Sequence, residues 1–367
     1  MFDQDTKKQN KLKKEASNKL LRWIFTFLGV FVVLFMLVAT VFTIYALQPV
    51  DSQNRSHVVV HIPVGADNKE ISKILEKKKH LIRSSIVFNA WMKIKSVKGF
   101  QAGDFYISPS MNNNQIVNQL QGAGGRIVKN HLLVREGEQI DEITTAVASH
   151  TKYSKSSFIN LMNNQEFLQE LAHKYPKLLK SSMKSKNVRY HLEGYLFPAK
   201  YDVYQSMSLR ELVDKMVAKT NETLKPYYTD IKKLKMTVHQ VLTLASLIER
   251  EGVNKKDRRM IAGVFLNRLD AHMPLQSDIA VMYALKKHKH RLSLKDIKVD
   301  SPYNLYVHKG FGPGPFNNPS LDSISAVLNP LERNRHYLYF VADLKTGKVY
   351  FNRKYIQHLN KNNSLGQ

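Results

Sequence analysis

Residues 23–47, WIFTFLGVFVVLFMLVATVFTIYAL, form a run of 25 residues without a charged side chain. An α-helix rises about 1.5 Å per residue, so this run is longer than the roughly 30 Å hydrocarbon core of a bilayer. The preceding residues 1–22 carry seven Lys or Arg against three acids. Because positively charged flanks stay in the cytoplasm, the pattern predicts one membrane-spanning helix, a basic cytoplasmic tail at 1–22, and an extracytoplasmic chain from about residue 50.

A cleaved signal peptide is the alternative interpretation of this run. The apolar core of a signal peptide is about 7–15 residues long and precedes a small-residue cleavage site of the A-x-A type. The run at 23–47 is longer and has no clean A-x-A after it. A retained anchor in the cell membrane is therefore favoured.

The charge balance favours an anionic partner. The 367 residues include 56 Lys and Arg against 30 Asp and Glu, a formal net charge of +26. Such an excess suits nucleic acid, an acidic membrane surface or an anionic polymer. The predicted anchor places most of the chain outside the cell, so we expect no nucleic acid partner and favour the cell wall or lipid headgroups.

Cysteine is absent, which excludes disulfides and thiolate zinc sites. The sequence also contains no HExxH metal motif, no dinucleotide fingerprint and no nucleophile elbow. We therefore expect neither a metal nor a cofactor.

The chain after the anchor divides by pattern into four parts, and the predicted fold class is α+β. A polar tether is expected at 48–56, a small α+β module at 57–128, a connecting mixed α/β region at 129–235, and a last region at 236–367. Strand and helix patterns predict a strand at 57–65, helices at 67–81 and 84–96, a shaped loop at 190–204 and a hairpin at 336–352.

The last region opens with an apolar helix that ends in two acids. Thr237 and Gln240 form a capping-box pattern, which predicts a helix over 237–251. At about 100° per residue, Glu249 and Glu251 lie about 200° apart around the axis. They therefore cannot converge on one sugar as the paired carboxylates of a retaining glycosidase do, about 5 Å apart.

Glu251 is the better candidate for chemistry. It lies beside Leu244 and Leu247 in the last helical turn, where partial burial and the helix dipole both disfavour a carboxylate and should raise its pKa. Gly252 fits the C′ position that ends the helix. Glu249 is expected to pair with a nearby cation, and the alternative that both acids are ordinary helix-edge residues stays open.

Polar residues interrupt the apolar pattern at two places further on. Asn267, Arg268, Gln276 and Asp278 stand among apolar residues, and Tyr303, Asn304 and Tyr306 precede a Gly-Pro loop. Aromatic rings that stack on sugars and amides that bond acetamido groups are typical of a carbohydrate groove. A purely structural loop has the same composition.

Several strings together resemble the YceG/MltG family of endolytic murein transglycosylases. These strings are LASLIEREG, AGVFLNRL, MPLQSDIAVMYAL, SPYNLYVHKGFGPGPFNNPS, YLYFVAD, EGYLFPAKYDVY and FQAGDFYISPSM. They are long and ordered, and the resemblance covers nearly all of residues 57–358. It implies one N-terminal anchor, a LysM-like module and a catalytic domain outside the membrane, with the catalytic Glu at a helix C-terminus.

The resemblance also implies site residues and a reaction. Glu251 would be the catalytic acid that cleaves the MurNAc–GlcNAc bond in nascent glycan strands and leaves 1,6-anhydro-MurNAc ends, which would terminate glycan elongation. The groove would be lined by Gln276, Asp278, Tyr303, Asn304 and Tyr306, with support from Glu249, Asn267 and Arg268. Peptidoglycan synthases of the elongation or division machinery are possible partners. The family usually has an acid where Ala199 stands, so a role for that acid is in doubt here.

Two rival functions remain. A non-catalytic wall-binding scaffold would share the anchor, the module and the basic surface, but it would not need Glu251 in a groove. A muramidase-type hydrolase would deliver water and would need a second carboxylate across the cleft, for which Asp278 is the one candidate.

Overall fold

The computed structural model describes residues 2–122, 127–252, 254–289, 291–343 and 345–366. These residues form two compact units, Met1–Ile127 and Val128–Gln367. All strands in the described residues belong to three two-stranded antiparallel sheets, and helices surround them. The predicted α+β class is confirmed.

The first unit begins with a long helix, α1, over Phe2–Ala46. Its segment Phe25–Ala46 is long and apolar enough to cross a membrane, and its large apolar side chains are exposed. The predicted helical character of this run is therefore confirmed, and its insertion in a membrane is taken up under the proposed function.

The rest of the first unit is a small module around one two-stranded sheet. Strands β1 and β2 pair antiparallel, with Val58 opposite Ile107. Helices α2 and α3 lie between the strands in the chain, and α2 continues as a π-helical turn over Ile74–Lys78. The elements are β1 (Val58–Ile62), α2 (Asn68–Lys73), α3 (Ser85–Ile94), β2 (Gly103–Ile107) and α4 (Asn113–Gln121). The predicted first strand and the two predicted helices are confirmed.

The segment predicted as a tether, 48–56, is bound to this module. The Arg83 guanidinium donates to the carbonyl oxygens of Pro49 and Val50, and it lies 4.3 Å from the Tyr45 ring centroid. The Tyr45 hydroxyl oxygen accepts a further bond from Arg83 Nη1 at 2.6 Å. At the far end of the segment, Ser108 Oγ donates to the carbonyl oxygen of Asn54. The end of α1 is thus tied to the module by hydrogen bonds.

The second unit is mostly helical and has one continuous hydrophobic core. The core includes residues on both sides of position 235, from Leu132 to Leu328. One core thus serves both parts that were predicted for this unit, and the division at 235 stays a prediction. The helices of the unit are α5 (Ile140–His150), α6 (Lys155–Met162), α7 (Gln165–Lys174), α8 (Pro176–Lys184), α9 (Leu209–Leu224), α10 (Tyr228–Lys233), α11 (Val238–Glu251), α12 (Lys255–Asp270), α13 (Asp278–Leu285), α14 (Leu321–Leu328) and α15 (Tyr355–Ser364).

Two antiparallel pairs of short strands complete the second unit. Strands β5 (Tyr339–Ala342) and β6 (Val349–Asn352) confirm the hairpin predicted at 336–352. Strand β3 (Asn130–Val134) pairs with β4 (Ala199–Val203), so the loop predicted at 190–204 is wrong over residues 199–203. Tyr201 and Val203 alternate inward there, but the partner strand lies about 70 residues earlier in the chain, where local pattern does not reveal it.

Helix α11 runs through the centre of this core. Every residue from Val238 to Ile248 except Gln240 is buried. Helices α8, α12 and α14 pack against it. The residues of this helix that are not buried lie near its two ends, at Gln240 and at 249–251.

Close packing between α12 and the chain after α14 requires Gly263. A Cβ atom at this position would lie 2.5 Å from the carbonyl oxygen of Leu331, a backbone atom that is fixed because the Leu331 amide donates to Arg259 O at 3.0 Å. The glycine thus removes a side chain where two backbones meet.

We predict that Gly263→Ala destabilises the second unit. Alanine favours a helix by about 1 kcal/mol, but overpacking costs about 1–3 kcal/mol, so we expect a net loss and a melting temperature several degrees lower. Thermal unfolding of the full chain followed by circular dichroism tests this, with Lys256→Ala on the exposed face of α12 as the control. An unchanged or raised melting temperature in Gly263→Ala would contradict the packing argument.

Candidate active site

Helix α11 begins and ends where the sequence predicts. The Thr237 hydroxyl accepts from the Gln240 amide at 3.2 Å, and Gln240 Oε1 accepts from the Thr237 amide at 2.8 Å, which confirms the capping box. The helix ends at Glu251, and Gly252 follows with φ −95°. This φ is not left-handed, so the C′ explanation for Gly252 is wrong. The glycine is needed for space, since a Cβ there would lie 3.1 Å from Arg258 Cα.

The Glu249 side chain is buried and links α11 to α12 and to the start of α14. Its side chain is 5% exposed, and Oε1 accepts from Arg258 Nη2 at 3.1 Å. Its Oε2 accepts from the amide of Ser320 at 2.8 Å and from the Ser320 hydroxyl at 2.5 Å. Ser320 caps α14, so the carboxylate lies at the positive end of that helix. The expected pairing of Glu249 with a downstream arginine is confirmed.

Glu251 has a different environment. It keeps some contact with solvent, and no Lys or Arg lies within ion-pair distance of its carboxyl group in the part of the chain that the structure describes. Burial, assisted by the nearby charge of Asp278, raises the pKa of Glu251 from 4.5 to about 7. The predicted rise is thus confirmed, with burial as its first cause. Near neutral pH a large fraction of Glu251 carries its proton.

Ser277 holds the carboxyl group of Glu251. The Ser277 hydroxyl donates to Glu251 Oε1 at 2.8 Å and opposes the rise in pKa. Sequence reasoning missed this residue, although it named both of its neighbours. Ser277 stands at the N-cap of α13 without making the usual side-chain cap. In the sequence it is indistinguishable from an ordinary helix cap, since nothing there reveals that its hydroxyl is used elsewhere.

Asp278 and Tyr306 form the second part of the site. The Tyr306 hydroxyl donates to Asp278 Oδ1 at 2.6 Å, and burial together with this carboxylate raises the pKa of Tyr306. Asp278 is exposed, and so is Gln276, whose backbone is left-handed at φ 53°. The Gln276 amide donates to the carbonyl oxygen of Leu305 at 3.0 Å, which joins the two loops of the site.

Tyr303 and Asn304 are buried beneath the same loop. The Tyr303 side chain packs between Tyr283 and Phe316, and its hydroxyl accepts from the Arg189 amide. Asn304 is fully buried, and its side chain bonds the backbone of its own loop. The structure places both residues as supports of the loop, and contact of either with a substrate stays a prediction.

Asn267 and Arg268 are buried near the C-terminal end of α12 and hold neighbouring backbone. Arg268 Nε donates to the carbonyl oxygen of Leu338 at 2.6 Å, and Arg268 Nη1 donates to that of Leu275 at 2.7 Å. Asn267 Nδ2 donates to the carbonyl oxygen of Tyr337. Arg268 thus links the chain just before Gln276 to the residue before β5, and Asn267 holds the residue next to it. The supporting role of both residues in the site stays a prediction.

Glu193 is a buried acid that sequence reasoning did not single out. Its carboxyl group accepts from the amide of Ile140 at 3.1 Å, the Tyr283 hydroxyl at 3.1 Å and Asn318 Nδ2 at 3.4 Å. Burial raises its pKa from 4.5 to about 8. Glu193 has no route to solvent at 1% exposure, so its contacts favour a structural role.

A carboxyl group whose pKa lies near 7, beside an exposed carboxylate and a phenol, can act as a general acid near neutral pH. Glu251 is therefore the candidate proton donor of this site. The neighbouring Glu249 is ion-paired and buried, which separates the two acids by environment.

Comparison with known proteins gives the family. The model of the YceG-like family matches residues 60–364, and the chain belongs to this family. It is 39% identical over 314 residues to the endolytic murein transglycosylase of Bacillus subtilis, which covers 85% of this chain and 86% of that protein. It is 38% identical over 321 residues to the endolytic murein transglycosylase of Streptococcus pneumoniae, of which it spans 58%.

A solved structure shares the fold. The crystal structure of a yceG-like protein from Listeria monocytogenes superposes with a TM-score of 0.61 at 36% sequence identity. The match covers 83% of this chain and 99% of that one. The family resemblance found in the sequence motifs is thus confirmed by sequence and by structure.

We predict that Glu193→Gln flattens the pH dependence of stability. Because the folded state holds the Glu193 proton up to about pH 8 and the unfolded state releases it near 4.5, the free energy of unfolding falls as pH rises between these values. Chemical unfolding at several pH values tests this. Glu251 contributes a fall in the same direction, so the variant should keep a smaller slope; an unchanged slope would contradict the assignment.

We also predict that Ser277→Ala raises the pKa of Glu251 further, because it removes the hydrogen bond that favours the carboxylate. Carbon-13 NMR titration of labelled glutamate measures the shift, with Glu251→Gln to assign the resonance. Ser154→Ala, which removes an ordinary cap from α6, is the matched control. A midpoint that stays or falls in Ser277→Ala would contradict the contact.

Proposed function

We propose that this chain is a lytic transglycosylase that cleaves the MurNAc–GlcNAc bond within nascent peptidoglycan strands and leaves 1,6-anhydro-MurNAc ends. The observation that carries the proposal is the Glu251 carboxyl group, with its raised pKa and its hydrogen bond from Ser277. The names of the relatives in Bacillus subtilis and Streptococcus pneumoniae support the same class of substrate and reaction.

Glu251 performs two proton transfers in this mechanism. Its protonated carboxyl group donates to the glycosidic oxygen, and the bond from that oxygen to C1 of MurNAc breaks. The resulting carboxylate then accepts the proton of the C6 hydroxyl of MurNAc as this oxygen bonds to C1. No water is consumed, and Glu251 ends protonated as it began. One acid suffices for this reaction, and Glu249 is paired with Arg258 and Ser320 instead.

Asp278 supports the positive charge that develops at C1. An exposed carboxylate beside the acid stabilises an oxocarbenium-like transition state, and it also helps to keep Glu251 protonated. The Tyr306 hydroxyl orients Asp278 through their 2.6 Å hydrogen bond. Gln276 is exposed in the same loop, and in this proposal it bonds a sugar substituent. Tyr303 and Asn304 act by holding the loop in position.

The first unit anchors the enzyme in this proposal. The Phe25–Ala46 segment spans the cell membrane, with residues 1–22 in the cytoplasm and the catalytic unit outside. The β1–α2–α3–β2 order of the small module supports its assignment as LysM-like. Cleavage close to the membrane acts on new strands and terminates their elongation, and synthases of the elongation or division machinery are the proposed partners.

We predict that Glu251→Gln abolishes cleavage of purified peptidoglycan by the full chain in detergent. A glutamine cannot donate the required proton, and general acid catalysis contributes about 100-fold or more. The products are read by mass spectrometry, and Glu222→Gln, which alters an exposed glutamate of a surface ion pair, is the charge-matched control. Internal cuts that end in 1,6-anhydro-MurNAc and vanish only in Glu251→Gln are the expected result.

Two other results would identify the rival functions. Reducing MurNAc ends would indicate a hydrolase, which the exposed carboxylate of Asp278 beside Glu251 favours as the second candidate. In that case Asp278→Asn should also stop cleavage. Absence of cleavage by folded wild-type protein on nascent and mature glycan would favour the scaffold.

A further inference from the structure

A large basic cavity lies at the opposite end of α11 from Glu251. It has a volume of about 920 Å³ and is formed by α8, the start of α11 and the loop 301–313. Its lining includes none of the residues Glu251, Ser277, Asp278 and Tyr306. The proposed reaction therefore leaves this cavity unexplained.

Five lysines line the cavity, and their charges are not compensated by protein. Lys177, Lys180 and Lys184 follow each other at spacings of three and four residues, which places them on one face of α8. Lys186 and Lys309 join them from two loops. Among the described residues, no acid lines the cavity and none of the five lysines forms an ion pair. The cavity therefore suits an anionic ligand.

The rest of the lining is apolar and firmly held. Val238, Phe311 and Pro313 contribute apolar surface. The carbonyl oxygen of Pro313 accepts from the Ser185 hydroxyl at 2.5 Å and from His239 Nε2 at 2.8 Å, and His239 Nδ1 accepts from the Tyr195 hydroxyl. These bonds fix the loop to α8 and α11, so a ligand meets a formed pocket and little ordering is required on binding.

The cavity and the Glu251 site share two elements. Gln240 lines the cavity and lies 11 residues before Glu251, which places the two about 20° apart around α11 and about 16 Å apart along it. The loop 301–313 lines the cavity at Phe311 and Pro313 and contacts Asp278 through Tyr306. A separation of about 16 Å is within the length of one extended polymer strand, and the shared loop connects the two places.

We propose that this cavity binds the acidic peptide branch of the murein substrate while the glycan is held at Glu251. This assignment rests on the proposed function. Each such branch carries free carboxylates, which suit the lysines, and alanyl methyl groups, which suit the apolar floor. A phosphodiester polymer offers the charge without the methyl groups, so the apolar lining favours the peptide. The cavity thus selects strands that still carry their peptides.

The test compares cleavage of two substrates by the full chain in detergent. One is uncrosslinked murein strands with their peptides, and the other is the same strands after an amidase has removed the peptides. Two charge-assisted contacts should favour the peptide-bearing strand by about tenfold in kcat/KM for wild-type protein. In Lys180→Ala/Lys184→Ala this preference should fall to about one, and Lys180→Arg/Lys184→Arg should restore it.

A matched control separates the cavity from general charge. Lys155→Ala/Lys232→Ala removes two exposed lysines of α6 and α10 outside the cavity and should keep the wild-type preference. The proposal is overturned if Lys180→Ala/Lys184→Ala keeps the preference, or if the control loses it equally.

A binding measurement keeps this proposal separate from the proposed function. Fluorescence anisotropy of labelled L-Ala-γ-D-Glu-L-Lys reports binding even if wild-type protein cleaves neither strand. Binding that is lost in Lys180→Ala/Lys184→Ala and kept in Glu251→Gln supports the cavity. A glycerol phosphate oligomer that binds these lysines more tightly than the peptide would overturn the assignment to a peptide.

Discussion

The burial of α11 is the constraint on which the second unit depends. Helices α8, α12 and α14 pack against it, and every residue from Val238 to Ile248 except Gln240 is buried. Its polar side chains that are not buried lie near the two ends, where the helix leaves the core. The Glu251 carboxyl group lies at one end and the lysine-lined cavity at the other. Both sites are therefore consequences of one packed element and the loop 301–313 that crosses it.

The two glutamates show how environment divides identical side chains. Glu249 lies where Arg258 and the first turn of α14 supply positive charge, so its carboxylate is satisfied and acts as a tie. Two residues later, Glu251 meets a hydroxyl and a second acid, and no Lys or Arg of the described residues pairs with it. The raised pKa of Glu251 follows from its burial and from the charge of Asp278. A buried helix can therefore end in two acids, because one carboxylate is paired and the other carboxyl group can hold its proton.

Local pattern predicted the parts of this fold that depend on near neighbours. The long apolar helix, the capped helix that ends at Glu251 and the β5–β6 hairpin each have their signal within about 25 residues. What pattern missed depends on distant partners. Strand β4 pairs with β3 some 70 residues away, Ser277 reaches Glu251 from another helix, and Glu193 is defined by contacts with Ile140 and Tyr283. The family motifs marked Tyr303 and Asn304, but only packing shows that they support the loop from below.

The attachment of the first module to the end of α1 has a mechanical consequence. Arg83 bonds the backbone at Pro49 and Val50 and covers the Tyr45 ring, so the 48–56 segment is not free spacer. In the proposed membrane-bound state, the height of the β1–β2 sheet above the lipid is then a fixed length and not an average over chain conformations. Lengthening such a segment would not simply extend the reach of the module; it would first have to break the arginine contacts that set its level.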